Sequence, residues 1–149
     1  MPARDFFHRL VRIALEKANW QITHDPYLLQ TGSFDLAIDL GAERIIAAQW
    51  EKLKIAVEVK SFLESSKISA FYSALGQFIT YRFALRNLEP DRKLYLAVPD
   101  ELYDKLFQTS LVRQITEQEQ VYLLTYDIFE EVICQWIPSP TTASAFNNC

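Results

Sequence analysis

Two segments in which apolar and polar residues alternate constrain the fold more than any other feature of this chain. Every second side chain is apolar in residues 34–40 (FDLAIDL) and in residues 53–60 (LKIAVEVK). This period of two predicts β-strands that bury one face and expose the other. A third apolar strand is predicted between these two segments, at residues 43–50. A turn at Gly41 precedes it and a turn at Glu51-Lys52 follows it. We therefore expect an antiparallel three-stranded meander.

Helices and further strands surround the predicted meander. Apolar residues recur every three or four positions in residues 5–18 and in residues 66–88, which predicts two amphipathic helices. The second helix has one broad apolar side, composed of Ile68, Phe71, Leu75, Phe78, Ile79 and Phe83. Residues 20–30 are expected to be extended, with a bend at His24-Asp25-Pro26. The remaining predicted elements are strands over 93–98, 121–126 and 131–137 and a helix that begins at Pro99-Asp100. The expected fold is a mixed α/β sheet with its helices, in the order α-β-β-β-α-β-α-β-β.

Composition limits the classes of protein to which the chain can belong. It has 149 residues, of which 50% are hydrophobic and 23% charged, so it can bury the core of one domain. We place that domain at residues 1–137 and a tail at residues 138–149. A net charge of −4 excludes a non-specific nucleic-acid coat but leaves room for a local basic groove. With no apolar run long enough to span a bilayer and no secretory signal, we expect a soluble cytoplasmic protein without a membrane partner.

The polar faces of the alternating segments carry the residues most suited to catalysis. Glu58 and Lys60 lie on one side of their strand, and Asp35 and Asp39 lie on the polar side of theirs. If the faces coincide, Asp35 and Glu58 can bind Mg²⁺ or Mn²⁺, with the backbone carbonyl of Val59 as a third ligand and Asp39 in a supporting role. Lys60 would then orient the attacking water or stabilise the transition state. The alternative is an ordinary solvated strand face with a weak surface ion pair.

Gln77 and Tyr81 add two hydrogen-bonding groups to this pattern. They are four residues apart, so they share one helix face away from the broad apolar side. They can contact a phosphate, a metal-bound carboxylate or the nearby strand. Each residue alone is more simply structural. The two histidines, His8 and His24, are interpreted as surface residues, and their pairing with Asp25 or the acidic cluster as metal ligands is the less favoured alternative. A basic rim around the site is also the less favoured reading, and it would consist of Lys54, Lys67, Arg82, Arg86, Arg92 and Lys93.

Asp35, then Glu58-x-Lys60, then Gln77-x-x-x-Tyr81 on the following helix resemble the PD-(D/E)XK nucleases, and the last motif resembles their RecB-like branch. Two departures are visible. Phe34 replaces the proline of the motif, and Glu16, the candidate acid on the first helix, is better placed to pair with Arg12.

A closer resemblance is to the XisH family, the fdxN element excision controlling factors of cyanobacteria. It rests on six blocks, which are 24–26 (HDP), 39–48 (DLGAERIIAA), 54–62 (KIAVEVKSF), 74–82 (ALGQFITYR), 94–99 (LYLAVP) and 132–136 (VICQW). The resemblance implies a restriction-endonuclease-like α-β-β-β-α-β core with C-terminal helix and strand additions. It also implies a role in the programmed excision of a DNA element during heterocyst differentiation, with XisI as companion protein.

Three functions follow from these observations. The chain is an active Mg²⁺-dependent deoxyribonuclease, a non-enzymatic accessory factor, or a nuclease that stays dormant until a partner completes its DNA groove. The expected partners are DNA, XisI and a site-specific recombinase. When bound to DNA, the protein would be associated with the nucleoid. We also expect a homodimer, or a face that binds XisI, built from the C-terminal third with Trp136 near its centre.

Overall fold

Helices pack on both faces of one mixed sheet. The computed structural model describes residues 3–46 and 51–140. Its helices are α1 (Ala3–Lys17), α2 (Lys67–Leu88), α3 (Asp100–Leu102) and α4 (Ser110–Gln118), with a π-helical turn (Tyr103–Phe107) between the last two. Its strands are β1 (Gln21–His24), β2 (Tyr27–Gln30), β3 (Asp35–Ile38), β4 (Leu40–Ile46), β5 (Glu51–Val59), β6 (Arg92–Pro99), β7 (Leu123–Asp127) and β8 (Val132–Ile137).

Six of the strands form the main sheet, in the order β1-β4-β5-β6-β7-β8. The pairs β1–β4, β4–β5 and β7–β8 are antiparallel, whereas β5–β6 and β6–β7 are parallel. The helix α2 connects the parallel strands β5 and β6, as parallel pairing requires a crossover. The predicted mixed α/β class is therefore confirmed.

The predicted meander is wrong in one of its strands. Residues 35–38 do not join the main sheet but pair with residues 27–30 in a separate two-stranded sheet. The pairing is local, and the hydroxyl of Thr31 closes the hairpin by donating to the carbonyl of Phe34 at 2.7 Å. The meander in the main sheet consists of β1, β4 and β5 instead. Strand β4 begins at Leu40, before the predicted start at residue 43, and residues 47–50 of that prediction lie outside the described residues.

Two cores fill the space on either side of the sheet. Ile55 and Val57 of β5 pack with α1, and Ala56 between them packs with α2. Because side chains alternate along a strand, Glu58 points to the same side as Ala56. Glu58 therefore lies on the side of the sheet that α2 covers.

The helix α2 buries only part of the apolar side that its sequence predicts. Ser66 caps it, as its side chain accepts a hydrogen bond from the N–H of Ser69 at 3.3 Å. The buried residues are Phe71, Ala74, Phe78, Ala84 and Leu85. Ile68, Ile79 and Phe83, assigned to the apolar side that packs inward, are exposed. The small side chains of Ala74 and Ala84 let the helix approach the sheet, and this closeness selects the buried face.

The C-terminal part contributes β7 and β8 to the main sheet, near their predicted positions, and it also contains the helix α4. Of the predicted tail at residues 138–149, residues 141–149 lie outside the described residues. No helix in the described ranges is long and apolar enough to cross a membrane.

Candidate functional site

A carboxylate pair lies where β4 begins and β5 ends. Asp39 immediately precedes β4, and because Leu40 is paired with Val57, Asp39 lies opposite Glu58. The backbone N–H of Asp39 donates to Oε1 of Glu58 at 3.2 Å, and the N–H of Val59 donates to Oδ2 of Asp39 at 2.8 Å. These reciprocal bonds fix both carboxylates to the sheet.

The environment of Glu58 favours the protonated form of its carboxyl group. Only 6% of the residue is exposed. Burial, followed by repulsion from Asp39, raises the pKa of Glu58 to about 7, although the ammonium of Lys60 acts in the opposite direction. Two carboxylates that repel each other in a buried place form a site that a cation would stabilise.

Lys60 is attached to the same place by its backbone and by its side chain. Its N–H donates to the carbonyl of Ala97 at 2.9 Å, and its carbonyl accepts from the hydroxyl of Tyr126 at 3.1 Å. Its Nζ lies 3.5 Å from Oε2 of Glu58. The Glu-x-Lys motif thus ends β5 with the lysine ammonium beside the glutamate.

The helix α2 contributes Gln77 and Tyr81 to the same cavity. The Oε1 atom of Gln77 is buried and accepts no hydrogen bond from the described residues. A buried acceptor without a donor is uncommon in folded proteins and indicates a missing partner, such as a water, a cation or a ligand donor. The cavity has a volume of about 280 Å³, and it is lined by Phe7, His8, Ala37, Asp39, Glu58, Val59, Lys60, Ser61, Glu64, Gln77 and Tyr81.

Asp35 does not lie in this cavity. It is exposed at the start of β3, where it pairs with Gln30 in the two-stranded sheet. Its predicted place beside Glu58 is wrong because β3 leaves the main sheet, so that Asp39 is the carboxylate that faces Glu58. The residues the structure brings together are therefore Asp39, Glu58, Val59, Lys60, Gln77 and Tyr81.

His8 is a cavity residue that the sequence analysis assigned to the surface. Its Nε2 lies 2.6 Å from Oδ1 of Asp25, and the other carboxylate oxygen accepts from Nη1 of Arg12 at 2.5 Å. Arg12 also lies 3.9 Å from Glu16, as predicted. The contact of His8 with Asp25 was the less favoured alternative from the sequence, and the spacing of four residues between His8 and Arg12 places both side chains on one face of α1.

The predicted basic rim does not surround the cavity. Lys54 forms ion pairs with Glu89 and Asp91, at 3.5 and 3.4 Å. Arg92 is buried, and its guanidinium lies 3.1 Å from Glu89. None of the six predicted rim residues lines the cavity.

The donors at the cavity suit a hard divalent cation. Asp39 and Glu58 provide carboxylate oxygens, and the unsatisfied amide oxygen of Gln77 is a third oxygen on the same cavity. Among residues 3–46 and 51–140, no group of three or more His, Cys, Asp or Glu side chains is placed to hold one ion. A cation here would have two carboxylates and complete its shell with neutral oxygens, which is the manner of Mg²⁺.

This arrangement defines a mixed α/β protein with an acidic cavity between its sheet and its longest helix. The sequence model of the XisH family, described as "XisH protein", matches residues 1–134, and the chain belongs to that family. The predicted membership is confirmed.

Two solved structures are similar over most of the chain. One is an XisH family protein from Nostoc punctiforme, with a TM-score of 0.82 and 51% identity over 89% of this chain and 98% of its own. The other is an fdxN element excision controlling factor protein from Anabaena variabilis, with a TM-score of 0.82 and 52% identity over 90% of this chain and 99% of its own. A comparison with curated proteins finds no match.

Proposed function

We propose that this XisH family protein is a divalent-cation-dependent nuclease that hydrolyses DNA phosphodiester bonds during the excision of a DNA element. The observation that carries the proposal is the apposition of Asp39 and Glu58, with the ammonium of Lys60 at 3.5 Å from Glu58. An acid before one strand and Glu-x-Lys at the end of the next is the pattern of the PD-(D/E)XK nucleases. The link to excision comes from the similar protein of Anabaena variabilis, named an fdxN element excision controlling factor.

The sheet topology supports the nuclease class. The antiparallel strands β1, β4 and β5 are followed by α2 and then by β6, which is parallel to β5. With α1 in front, this is the α-β-β-β-α-β order of a restriction-endonuclease-like core. The pair β2–β3 is then an insertion between the first two core strands, and β7, β8 and α4 are additions.

In this proposal Asp39, Glu58 and the backbone carbonyl of Val59 would hold Mg²⁺ or Mn²⁺, with the amide oxygen of Gln77 on the same cavity. When bound, such an ion lowers the pKa of a water molecule and neutralises charge on a phosphate. Glu58 must lose its proton to act as a ligand, and with a pKa of about 7 it does so near neutral pH. Lys60 holds the attacking water and offsets the charge that develops on the phosphate. Gln77 and Tyr81 offer hydrogen bonds to that phosphate from α2.

A second candidate is a non-enzymatic excision factor that uses the same fold to bind DNA, XisI or a recombinase. The contact of Lys60 with Glu58 favours it, since the lysine already offsets part of the negative charge without any cation. The net charge of −4 also favours a protein partner over a free DNA surface.

A nicking assay separates the two candidates. Supercoiled and branched DNA would be incubated with the chain and Mg²⁺ or Mn²⁺, with and without XisI. We expect Lys60→Ala to abolish nicking, and Lys105→Ala to leave it unchanged, because Lys105 pairs with Glu101 on the exposed surface. If Lys60→Ala cleaves as well as the unmodified chain, the nuclease proposal is wrong.

A further inference from the structure

The outward face of α2 carries large apolar side chains that the rest of the described chain does not cover. Ile68, Tyr72, Ile79 and Phe83 are 39%, 64%, 40% and 67% exposed. Their spacing of four, seven and four residues aligns them in one row along the helix. Together they expose on the order of 400 Å² of surface, an area typical of an interaction site on a monomer. We call this row the α2 stripe.

The α2 stripe is arranged symmetrically along the helix. Ile68 and Phe83 are equally distant from the midpoint between Leu75 and Gly76, and so are Tyr72 and Ile79. A two-fold axis through this midpoint would set Ile68 of one copy on Phe83 of the other, and Tyr72 on Ile79. An interface formed by one patch with itself requires this self-complementarity.

The centre of the stripe allows a second helix to come close. A Cβ atom placed on Gly76 meets no atom within 4 Å. Glycine in a helix interior is destabilising, so an exposed glycine here is unfavourable for the isolated helix. The missing side chain of Gly76 leaves a shallow gap, into which Leu75 of an antiparallel second copy would fit.

The charges at the two ends favour the antiparallel direction. Arg82 and Arg86 lie at the C-terminal end of α2, and Glu64 precedes its N-terminus. Arg86 forms no ion pair with any described residue, and neither does Glu64. The antiparallel arrangement brings Arg86 of one copy towards Glu64 of the other, whereas a parallel one would bring arginines together.

We infer that α2 forms the interface of a homodimer, in which two copies of the helix pack antiparallel across Gly76. The four stripe residues supply about half of the roughly 800 Å² per partner of a standard interface, and Leu63 and the polar neighbours of the stripe supply the rest. This interface differs from the C-terminal face expected from the sequence. The Trp136 ring, placed at the centre of that face, packs on Trp20 and Tyr95 of its own chain, with centroids at 5.5 and 5.0 Å.

The dimer interface lies mostly outside the acidic cavity. Gln77 and Tyr81 line that cavity from another flank of α2 than the stripe, and Glu64 is the residue that the cavity lining and the interface share. The dimer does not require the proposed nuclease activity, so it can be tested whether or not the chain cleaves DNA.

Sedimentation equilibrium of the full chain, from low to high micromolar concentration, tests the inference. We expect a monomer–dimer equilibrium that Phe83→Glu weakens by at least about 100-fold, because the substitution places two charges in the interface. The matched control is Phe129→Glu. Phe129 is 90% exposed in the turn between β7 and β8, so this variant should dimerise normally.

Gly76→Gln gives a readout that a fold defect cannot imitate. The new side chain has open space in the monomer, so the melting temperature of the dilute monomer should rise. The same side chain should weaken the dimer by filling the gap. A chain that stays monomeric throughout, including one that binds only a different protein through the stripe, would overturn the inference. A dimer unaffected by Phe83→Glu would overturn it as well.

Discussion

The backbone N–H of Asp39 donates to the side chain of Glu58 at 3.2 Å, which joins the start of one strand to the end of its neighbour through a buried carboxylate. This hydrogen bond keeps Glu58 beside Asp39 at a cost in electrostatic energy. Several properties of the protein depend on that cost.

Glu58→Gln should stabilise the protein at alkaline pH. Burial and repulsion from Asp39 raise the pKa of Glu58 from 4.5 to about 7, so the folded state holds the proton to higher pH than the unfolded state. The loss of folding stability caused by ionised Glu58 is therefore absent below pH 4.5 and grows as the pH rises towards 7. We expect the variant to be more stable by about 3 kcal/mol at pH 8 and nearly equal at pH 4. Thermal melting against pH measures this difference, and a variant that is less stable at pH 8 would contradict it.

Asp39→Asn and Asp35→Asn should differ in cation binding. The amide that replaces the Asp39 carboxylate keeps an oxygen for the N–H of Val59 but loses the negative charge, so we expect at least about tenfold weaker binding of Mn²⁺. Asp35→Asn removes the same charge from a residue outside the cavity and should leave the affinity unchanged. Calorimetric titration with Mn²⁺ compares the two. Equal losses would show that net charge, not the site, sets the affinity.

Gln77→Leu should separate stability from activity. It removes a buried oxygen that accepts no hydrogen bond from the described residues and fills the space with apolar atoms, so the free energy of unfolding should rise or stay the same within about 1–2 kcal/mol. Nicking should fall because a donor to the phosphate is lost. Gln114→Leu on the exposed side of α4 is the control and should change neither property. A large loss of stability in Gln77→Leu would mean that the glutamine serves the fold.

Glu89→Gln should destabilise the other end of the sheet. Burial alone would raise the pKa of Glu89, but hydrogen bonds from Arg92 and Tyr27 and the nearby positive charges lower it to about 2. Without the carboxylate, the buried Arg92 would keep the carbonyls of Ala42 and Ile55, the ring of Tyr27 and a distant Glu43 as partners. We expect a loss of about 3 kcal/mol at pH 7.

The ion pair between Glu89 and Arg92 predicts that the free energy of unfolding changes with pH in the opposite direction to the effect of Glu58. Because the folded pKa of Glu89 is depressed, its contribution is complete above pH 4.5 and disappears as the pH falls towards 2. The difference in melting temperature between Glu89→Gln and the unmodified chain should therefore shrink in that range. A difference that is constant from pH 7 to pH 2 would contradict the role of the charge.

Alternation in β5 was sufficient to predict that Glu58 shares a face with Ala56, but not that α2 covers this face and leaves Glu58 only 6% exposed. It was not sufficient for Asp35, because a period of two gives the face of a strand but not the strand with which it pairs. Residues 35–38 have the pattern of a sheet strand and pair instead with residues 27–30, their nearest neighbours along the chain. Asp39, the carboxylate that faces Glu58, was among the predicted residues in a supporting role.

Helical periodicity has the same limit. It predicted α2 to within one residue, but only Phe71 and Phe78 of the predicted broad apolar side are fully buried. The helix packs through Ala74 and Ala84, whose small size allows close contact, and leaves Phe83 exposed. His8 was interpreted as a surface residue because periodicity does not show that α1 brings it against Asp25. The sequence likewise does not show that Glu89 and Tyr27 enclose Arg92.

Crystals of the protein soaked in Mn²⁺ test the central claim most directly, because anomalous scattering locates the ion without reference to activity. The account predicts one strong peak between the carboxylates of Asp39 and Glu58, and its loss in Asp39→Asn. A fully soaked crystal with no peak at this pair, or with its strongest peak at Asp35 or elsewhere, would contradict the account.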